Sequence, residues 1–291
     1  MADLALISRL APIVRLHPSD EHRPASVPWY LPNVRMRFHR SWQKDRAILD
    51  RGAVSDATIA SQSCEDQSSG GARPSDFFLE IAGDEDRVRR GDLASALAYA
   101  HVLTWPEFED IQYWFFYPYN GDMGPGPINF AHEGDWEHVT LRVACGRVTR
   151  AFFSAHHKEG KVLDAARCAF VGERLVVYSA RHSHASYPTG GKQARNNLPD
   201  DHTADLGPEW RTWERLEWLD PHPPRWLRYS GHWGEIGEFK DTTGPRGPSH
   251  QRAWSGDPEL GIPAPPGGGG DDPRGEDGPR GGGHPRIIRD V

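Results

Sequence analysis

Residues 132–143 read HEGDWEHVTLRV, with two histidines, two glutamates and an aspartate in the first seven positions before a strand pattern begins. Side chains alternate across a strand, so Asp135, Glu137, Val139, Leu141 and Val143 share one face, and Trp136, His138, Thr140 and Arg142 share the other. The three aliphatics mark the first face as the buried one, and two carboxylates therefore head a core-facing row. Adjacent carboxylates removed from water repel one another and need a cation or a proton. Oxygen ligands of this kind suit hard cations such as Ca2+, Mg2+ or Mn2+. His132, three residues before Asp135 in the preceding turn, could add a nitrogen ligand, and Asp122 in the Gly/Pro turn before it is a further candidate. The alternative is a frayed strand end where Asp135 and Glu137 are solvated or paired with arginine.

Histidines recur where other strands run out. SAHH brings His156 and His157 to one such end, and RHSH brings His182 and His184 to another. Antiparallel strands with suitable connections would gather these ends at one edge of a sandwich. Imidazoles there could act as ligands, proton shuttles or donors to an anion, which makes His156, His182 and His184 the candidate catalytic residues. Trp136 and Trp233 are candidates to stack on a bound sugar or head group, against the alternative that their rings fill a core. No GxSxG elbow, P-loop, GxGxxG fingerprint or HExxH helix is present in the sequence.

The elements that must position these groups follow from the hydrophobic pattern. DIQYWFFYPYN (110–120), DWEHVTLRVAC, RVTRAFFSAHH and ERLVVYSARHSH succeed one another at intervals that suit an antiparallel meander. VPWYLPNVRMRFH (27–39) reads as extended, because Pro28 and Pro32 disfavour a helix. Residues 86–103 predict the best helix, with Ala and Leu at helical spacing after a cap at Asp92. PEWRTWERLEWLD fits helix and strand alike. With no βαβ alternation and no internal repeat, the pattern predicts a mainly β fold, an antiparallel β-sandwich with one or two peripheral helices. Residues 50–76, rich in Ser, Gly and Asp, read as a long surface loop. From Pro263 almost nothing apolar remains, so a single β-sandwich domain over 1–262 and a disordered Gly/Pro-rich tail over 263–291 are expected.

Composition narrows the function classes. The 291 residues carry a formal net charge of −7 with no basic stripe, which argues against a nucleic-acid binder. No apolar run is long enough for a transmembrane helix, and the opening MADLALISRLAPIVRLHP reads as part of the domain and not as a signal peptide. The three cysteines, Cys64, Cys145 and Cys168, show no CxxC spacing, so neither a disulfide framework nor a thiolate zinc site is expected. Cys145 and Cys168 read as small buried hydrophobes, and the default compartment is the cytoplasm. Oligomeric state is left open.

Five motifs in order, APIVRLHPSDEHRPASVPWYL, DIQYWFFYPYNG, HEGDWEHVTLRV, VVYSARHSHASYP and PPRWLRYSGHWG followed by GPRGP, resemble the vacuolar protein sorting-associated protein 62 family over roughly residues 11–254. Many plant members have no known function, and the yeast members imply a trafficking role. The central motif is similar, more distantly, to the necrosis- and ethylene-inducing peptide-like proteins, whose hallmark reads His-Arg-His-Asp-Trp-Glu where this chain has HEGDWE. That resemblance implies a β-sandwich with a divalent metal in an acidic cavity. It implies His132, Asp135 and Glu137 as ligands, with Gly134 in place of the second histidine, and SAHH resembles the Ser-Ala-His-Gly run that follows there. Those proteins are secreted, disulfide-bonded and attack plant membranes through sphingolipid head groups; the opening residues and the cysteines here depart from that pattern. The leading expectation is a metal-containing β-sandwich that binds a small polar ligand (a sugar, a phosphate or a lipid head group) in a His/carboxylate cavity. A metal-assisted hydrolase using His182 or His184 as acid/base is the second, and a non-catalytic interaction or trafficking-related protein the third.

Overall fold

Aromatic residues dominate 109–120 and alternating aliphatics run through 139–143, and these segments form the two longest strands among the described residues, Glu109–Asn120 and His132–Ala144. The computed structural model describes residues 2–40, 43–60, 76–121, 130–156, 160–195, 199–237 and 242–260. The two long strands pair antiparallel at the centre of a six-stranded sheet, flanked by Ala98–Thr104 and Leu216–Trp218 on one side and Arg147–Phe153 and Lys161–Asp164 on the other. Within this sheet, among the described residues, the Leu216–Trp218 strand alone runs parallel to its neighbour.

Both faces of this sheet are covered. Ile111, Tyr113, Phe115, Val139, Leu141 and Val143 pack against Ile7, Leu10, Val14, Leu175, Val177 and Trp210. The last four belong to a second sheet, in which Ile13–Arg15 lies between Arg174–Ser179 and Glu209–Arg211. On the opposite face Tyr99, Trp114, Phe116 and Trp136 meet Val34, Met36, Leu79 and Ile81. Those aliphatics come from a three-stranded sheet of Arg46–Leu49, Val34–His39 and Asp76–Ile81. The fold is mainly β, as expected, but the expectation of one buried and one open face is corrected: Trp136, His138 and Thr140 are as buried as the aliphatic row. A third layer accounts for this.

Two local expectations also fail. Within 86–103 only Glu85–Arg89 is helical. Gly91, at φ +69°, ends that turn where a Cβ would lie 1.9 Å from the Arg23 carbonyl, and Ala98–Thr104 is a strand buried on both sides. Sheet burial overrides the helical propensity of its alanines. Conversely, Val27–Tyr30 is a helical turn and Leu31–Asn33 a 3-10 turn, with Pro28 and Pro32 in first-turn positions where a missing N–H costs nothing. The ambiguous 208–220 stretch splits into Glu209–Arg211 and Leu216–Trp218, short strands in different sheets joined by a 3-10 turn. The first residues do join the fold, through the helix Leu4–Leu10 capped by Asp3. Among the described residues no helix is long and apolar enough to cross a membrane. Cys145 is exposed in a hairpin turn and Cys168 half-buried, both free, which corrects the expectation of two buried thiols. Most of the expected 50–76 loop, with Cys64, and the expected 263–291 tail lie outside the described residues.

Candidate functional site

The Arg174–Ser179 strand returns as Ser186–Tyr187 through a tight turn, closed by Ala180 N–H to the Ala185 carbonyl at 3.0 Å. Within that turn His182 and His184 adopt left-handed backbones, φ +70° and +56°. His156, at φ +43°, is a third such residue, and the only other non-glycine with positive φ among the described residues is Cys145. Each costs about 1–2 kcal/mol relative to ordinary backbone, and such residues concentrate at functional sites. His182 and His184 therefore do not share a strand face as their spacing suggested; the turn sends the two rings in different directions.

The His184 ring is 1 % exposed, lies flat on Tyr117 with centroids 3.9 Å apart, and its Nδ1 is 2.9 Å from Asp135 Oδ2. Asn120 Nδ2 donates to the same oxygen at 3.3 Å. His182 Nδ1 faces the end of the Glu109–Asn120 strand, where Gly121 leaves room: a Cβ there would lie 2.7 Å from His22 Cε1 and 3.4 Å from His182 Nδ1. Gly121 N–H donates to the His182 carbonyl at 3.0 Å, which fixes the turn against the strand end.

A third segment completes the cluster. The loop after Ile13–Arg15, HPSDEH, turns on an Asp20 carboxylate whose Oδ1 accepts from the His22 backbone N–H (3.0 Å) and whose Oδ2 accepts from that of His182 (2.9 Å). His22 Nδ1 stands 3.6 Å from Oδ1 and His184 Nε2 3.6 Å from Oδ2. One donor atom each from Asp20, His22 and His182 lies within 4.8 Å of the others, so the cluster could hold a metal ion. Burial opposes ionisation of Asp20, but the His184 ring and the two backbone N–H groups outweigh it and hold the carboxyl below its ordinary range. Burial and the neighbouring His184 and His182 push the His22 pKa down to about 4 against the pull of Asp20, so the ring is neutral at pH 7.

A second polar group adjoins the first. Asp201 accepts from Ser183 Oγ (3.0 Å) and Tyr187 OH (2.7 Å) and meets His156 Nε2 at 2.6 Å. Glu137 accepts from Ser154 Oγ, which itself accepts from the His138 N–H. Glu137 keeps some accessible surface, yet its carboxyl is closely enclosed, and burial with the neighbouring Asp135 and Asp201 charges pushes its pKa well above the ordinary value.

The strand ends bearing Asp135 and Glu137, His156, and His182 and His184 thus meet in one region. The expected ligand set is not gathered in the same way. His132 turns back to donate from Nδ1 to the Gly134 carbonyl at 2.8 Å, Asp135 is engaged by His184 and Glu137 by Ser154. Successive same-face positions on a strand are about 6.6–6.8 Å apart, which is why this row does not converge on one point. Asp122 and His157 lie outside the described residues. No arginine clamps Asp135 or Glu137 among the described contacts, and Glu133 is tied instead to Ile81 N–H (2.7 Å) and Arg89 (3.3 Å). Trp136 and Trp233 are corrected as ligand platforms: both pack in the second core, 5.3 Å centroid to centroid, on the sheet face opposite the acid row. Two concavities of about 250 and 190 Å3 lie away from the cluster, around Leu10 and Phe170 and around Leu31 and Trp226. The spacing of the sequence did not single out Asp20, His22 or Asp201. The signal for the first two was an Asp-x-His pair in a proline-bearing loop.

Similarity to known proteins is recognisable but distant. The chain is 25% identical over 238 residues to the vacuolar protein sorting-associated protein 62 of Saccharomyces cerevisiae, covering 69% of this chain and 49% of that protein. It is 27% identical over 190 residues to the yeast vacuolar protein sorting-associated protein TDA6, covering 48% and 40%. The chain thus spans about half the length, or less, of these curated relatives. Among solved structures it is similar to one described as a toxin fold as basis for microbial attack and plant defense (15% identity, TM-score 0.43, covering 87% of this chain and 88% of that one). Another is NLPPya in complex with glucosamine (14% identity, TM-score 0.39, 78% of each chain). The family described as Vacuolar protein sorting-associated protein 62 matches residues 3–207, more than two-thirds of the sequence, and the chain belongs to that family.

Proposed function

We propose that this protein holds a divalent cation in the His/carboxylate cluster and uses it to bind a small polar ligand: a sugar, a phosphate or a lipid head group. The observation that carries the reading is the convergence of Asp20 and His22, from the loop after Ile13–Arg15, and His182, from a turn some 160 residues later, onto one point. A buried carboxylate beside imidazole nitrogens is an arrangement that a dication stabilises. His22 and His182 keep part of their surface accessible, so a bound cation would have a side open to ligand oxygens. Titration calorimetry of the purified chain with glucosamine, inorganic phosphate and phosphocholine-containing vesicles, before and after chelation, tests this. Binding of at least one probe that is lost on chelation and restored by the cation is expected; binding indifferent to chelation would overturn the reading.

The left-handed backbones of His156, His182 and His184 favour a second reading, a metal-assisted hydrolase. His182 or His184 would then exchange a proton with a cation-bound water. A phosphate-ester turnover screen should show activity that His182→Ala reduces, and metal-loaded protein without turnover removes this reading while leaving the first. The trafficking role in the yeast relatives' names would concern a partner of the whole protein, and deletion of 263–291 is the test of a tail-borne interaction.

A further inference from the structure

We infer that the cation seat is the nitrogen-rich group Asp20, His22 and His182, with His184, held by Asp135, directed at the Asp20 carboxylate from behind, and that it selects a d-block dication such as Zn2+ or Co2+ over Ca2+ or Mg2+. This rests on the proposal above that a dication is bound, and it names both the atoms and the class of ion.

Two features besides the clustering point there. The first is His184. Its ring is 1 % exposed, its Nδ1 meets Asp135, and its Nε2 has no hydrogen-bond partner among the described residues. That nitrogen faces Asp20 Oδ2 at 3.6 Å. A histidine whose one ring nitrogen donates to a carboxylate while the other faces the acid of a donor cluster orients that acid, as outer partners of metal ligands do. The second is spacing. His22 Nδ1, also without a hydrogen-bond partner, is 3.6 Å from Asp20 Oδ1. Such separations exceed a hydrogen bond and approach the roughly 3.0–3.4 Å between atoms sharing one ion at bonds of about 2.0–2.1 Å.

The donor chemistry sets the class. Imidazole nitrogen favours Zn, Fe, Co, Ni and Cu, whereas Ca2+ takes six to eight oxygens and Mg2+ keeps its waters. Asp20 supplies one carboxylate to the seat and Asp135 a second at one remove, so the two charges of the ion are offset without a third acid. Asp135 acts here as a positioning residue, not a ligand.

The test is competition binding on the full chain stripped of metal, with Co2+ absorption in the visible as the spectroscopic readout. We expect one equivalent of Zn2+ or Co2+ to bind about 100-fold or more tightly than Ca2+ or Mg2+. His22→Ala and His182→Ala should each weaken Zn2+ by about 100-fold and lose the Co2+ band. Asp135→Asn should weaken it by about 10-fold through His184, and Glu137→Gln and His132→Ala should leave it unchanged. His22→Gln and His182→Gln, which conserve bulk, serve in case an alanine variant does not fold. Ca2+ or Mg2+ binding as tightly as Zn2+, or loss of the ion in Glu137→Gln but not in the His22 variants, would overturn this inference while the cation proposal stands. Wild-type protein that takes up no dication overturns both.

Discussion

Two regions of this protein bury histidine beside aspartate, and they differ in what is left over. On the face of the central sheet that carries the second core, the segment 248–260 lies across the strands and the polar atoms that face one another at the His–Asp contacts are bonded. His138 Nε2 meets Asp257 Oδ1 at 3.0 Å while Thr140 donates to the other oxygen. His101 places one nitrogen on Asp220 and the other on the Trp254 carbonyl at 3.2 Å, with its ring stacked on Trp254 at 3.7 Å. In the Asp20 cluster, His22 Nδ1 and His184 Nε2 are enclosed and unmatched. A buried polar atom without a partner costs about 1–3 kcal/mol, a cost that Trp136 Nε1 and Trp233 Nε1 bear singly in the second core, whereas here two such nitrogens face one carboxylate. The same residue types thus read as structure in one region and as a site in the other, and two open imidazole nitrogens around one carboxylate separate them.

The largest expected effect lies in the closed region. Asp257→Ala leaves His138 and Thr140 buried without their acceptor and should cost about 3–5 kcal/mol in denaturant unfolding, with cation affinity unchanged in whatever fraction stays folded. An Asp257→Ala protein of wild-type stability would break the comparison from its structural side.

A middle-sized effect follows from His22. Its folded pKa of about 4 lies below the ordinary 6.5. Above pH 6.5 the ring is neutral in both states; between 6.5 and about 4 only the unfolded chain takes up the proton, so metal-free stability falls as pH falls. Discounted for partial solvent exposure, the loss is about 1–2 kcal/mol across that window. His22→Gln should flatten the slope, and an unchanged slope would count against a neutral ring at this position. The depressed Asp20 carboxyl acts in the same direction at lower pH, its contribution fading as pH drops through its folded pKa.

The smallest effect sharpens the comparison most. Gly121→Ala would press a methyl against the His22 ring, 2.7 Å from Cε1 and 3.0 Å from Nδ1. The ring can turn away, so stability should change by only about 1 kcal/mol or less, yet Zn2+ affinity should drop about 10-fold if ligand aim is what matters. Equal insensitivity of both would show that the open region tolerates disorder a metal seat would not.

Much of this was legible in the sequence, and the limits are physical. The strands at 109–120, 132–144, 147–153 and 174–179 declared themselves because long aromatic and β-branched runs have few other ways to be buried. Two of the His-bearing ends meet because their strands pair antiparallel, but the 174–179 strand, expected in the same meander, lies in the facing sheet and brings its histidines across the layers. What stayed hidden depended on long-range geometry. Ala98 and Ala100 resemble helix until a covering layer is known, and Asp20 and His22 lie more than a hundred residues before the histidines they meet. The direction of the His182 and His184 rings was illegible too, because alternation describes strands and these residues sit in left-handed turns.

Gly134 extends this beyond the cluster. At φ +65° it stands where a Cβ would fall 2.3 Å from the Trp233 carbonyl, the group to which the Tyr30 hydroxyl also donates at 2.8 Å. A backbone crossing from the far layer fills the volume that a side chain at this position would need. Randomising codon 134 and selecting for folded protein should therefore return glycine alone, unless a compensating change shortens or shifts the crossing near 233–234.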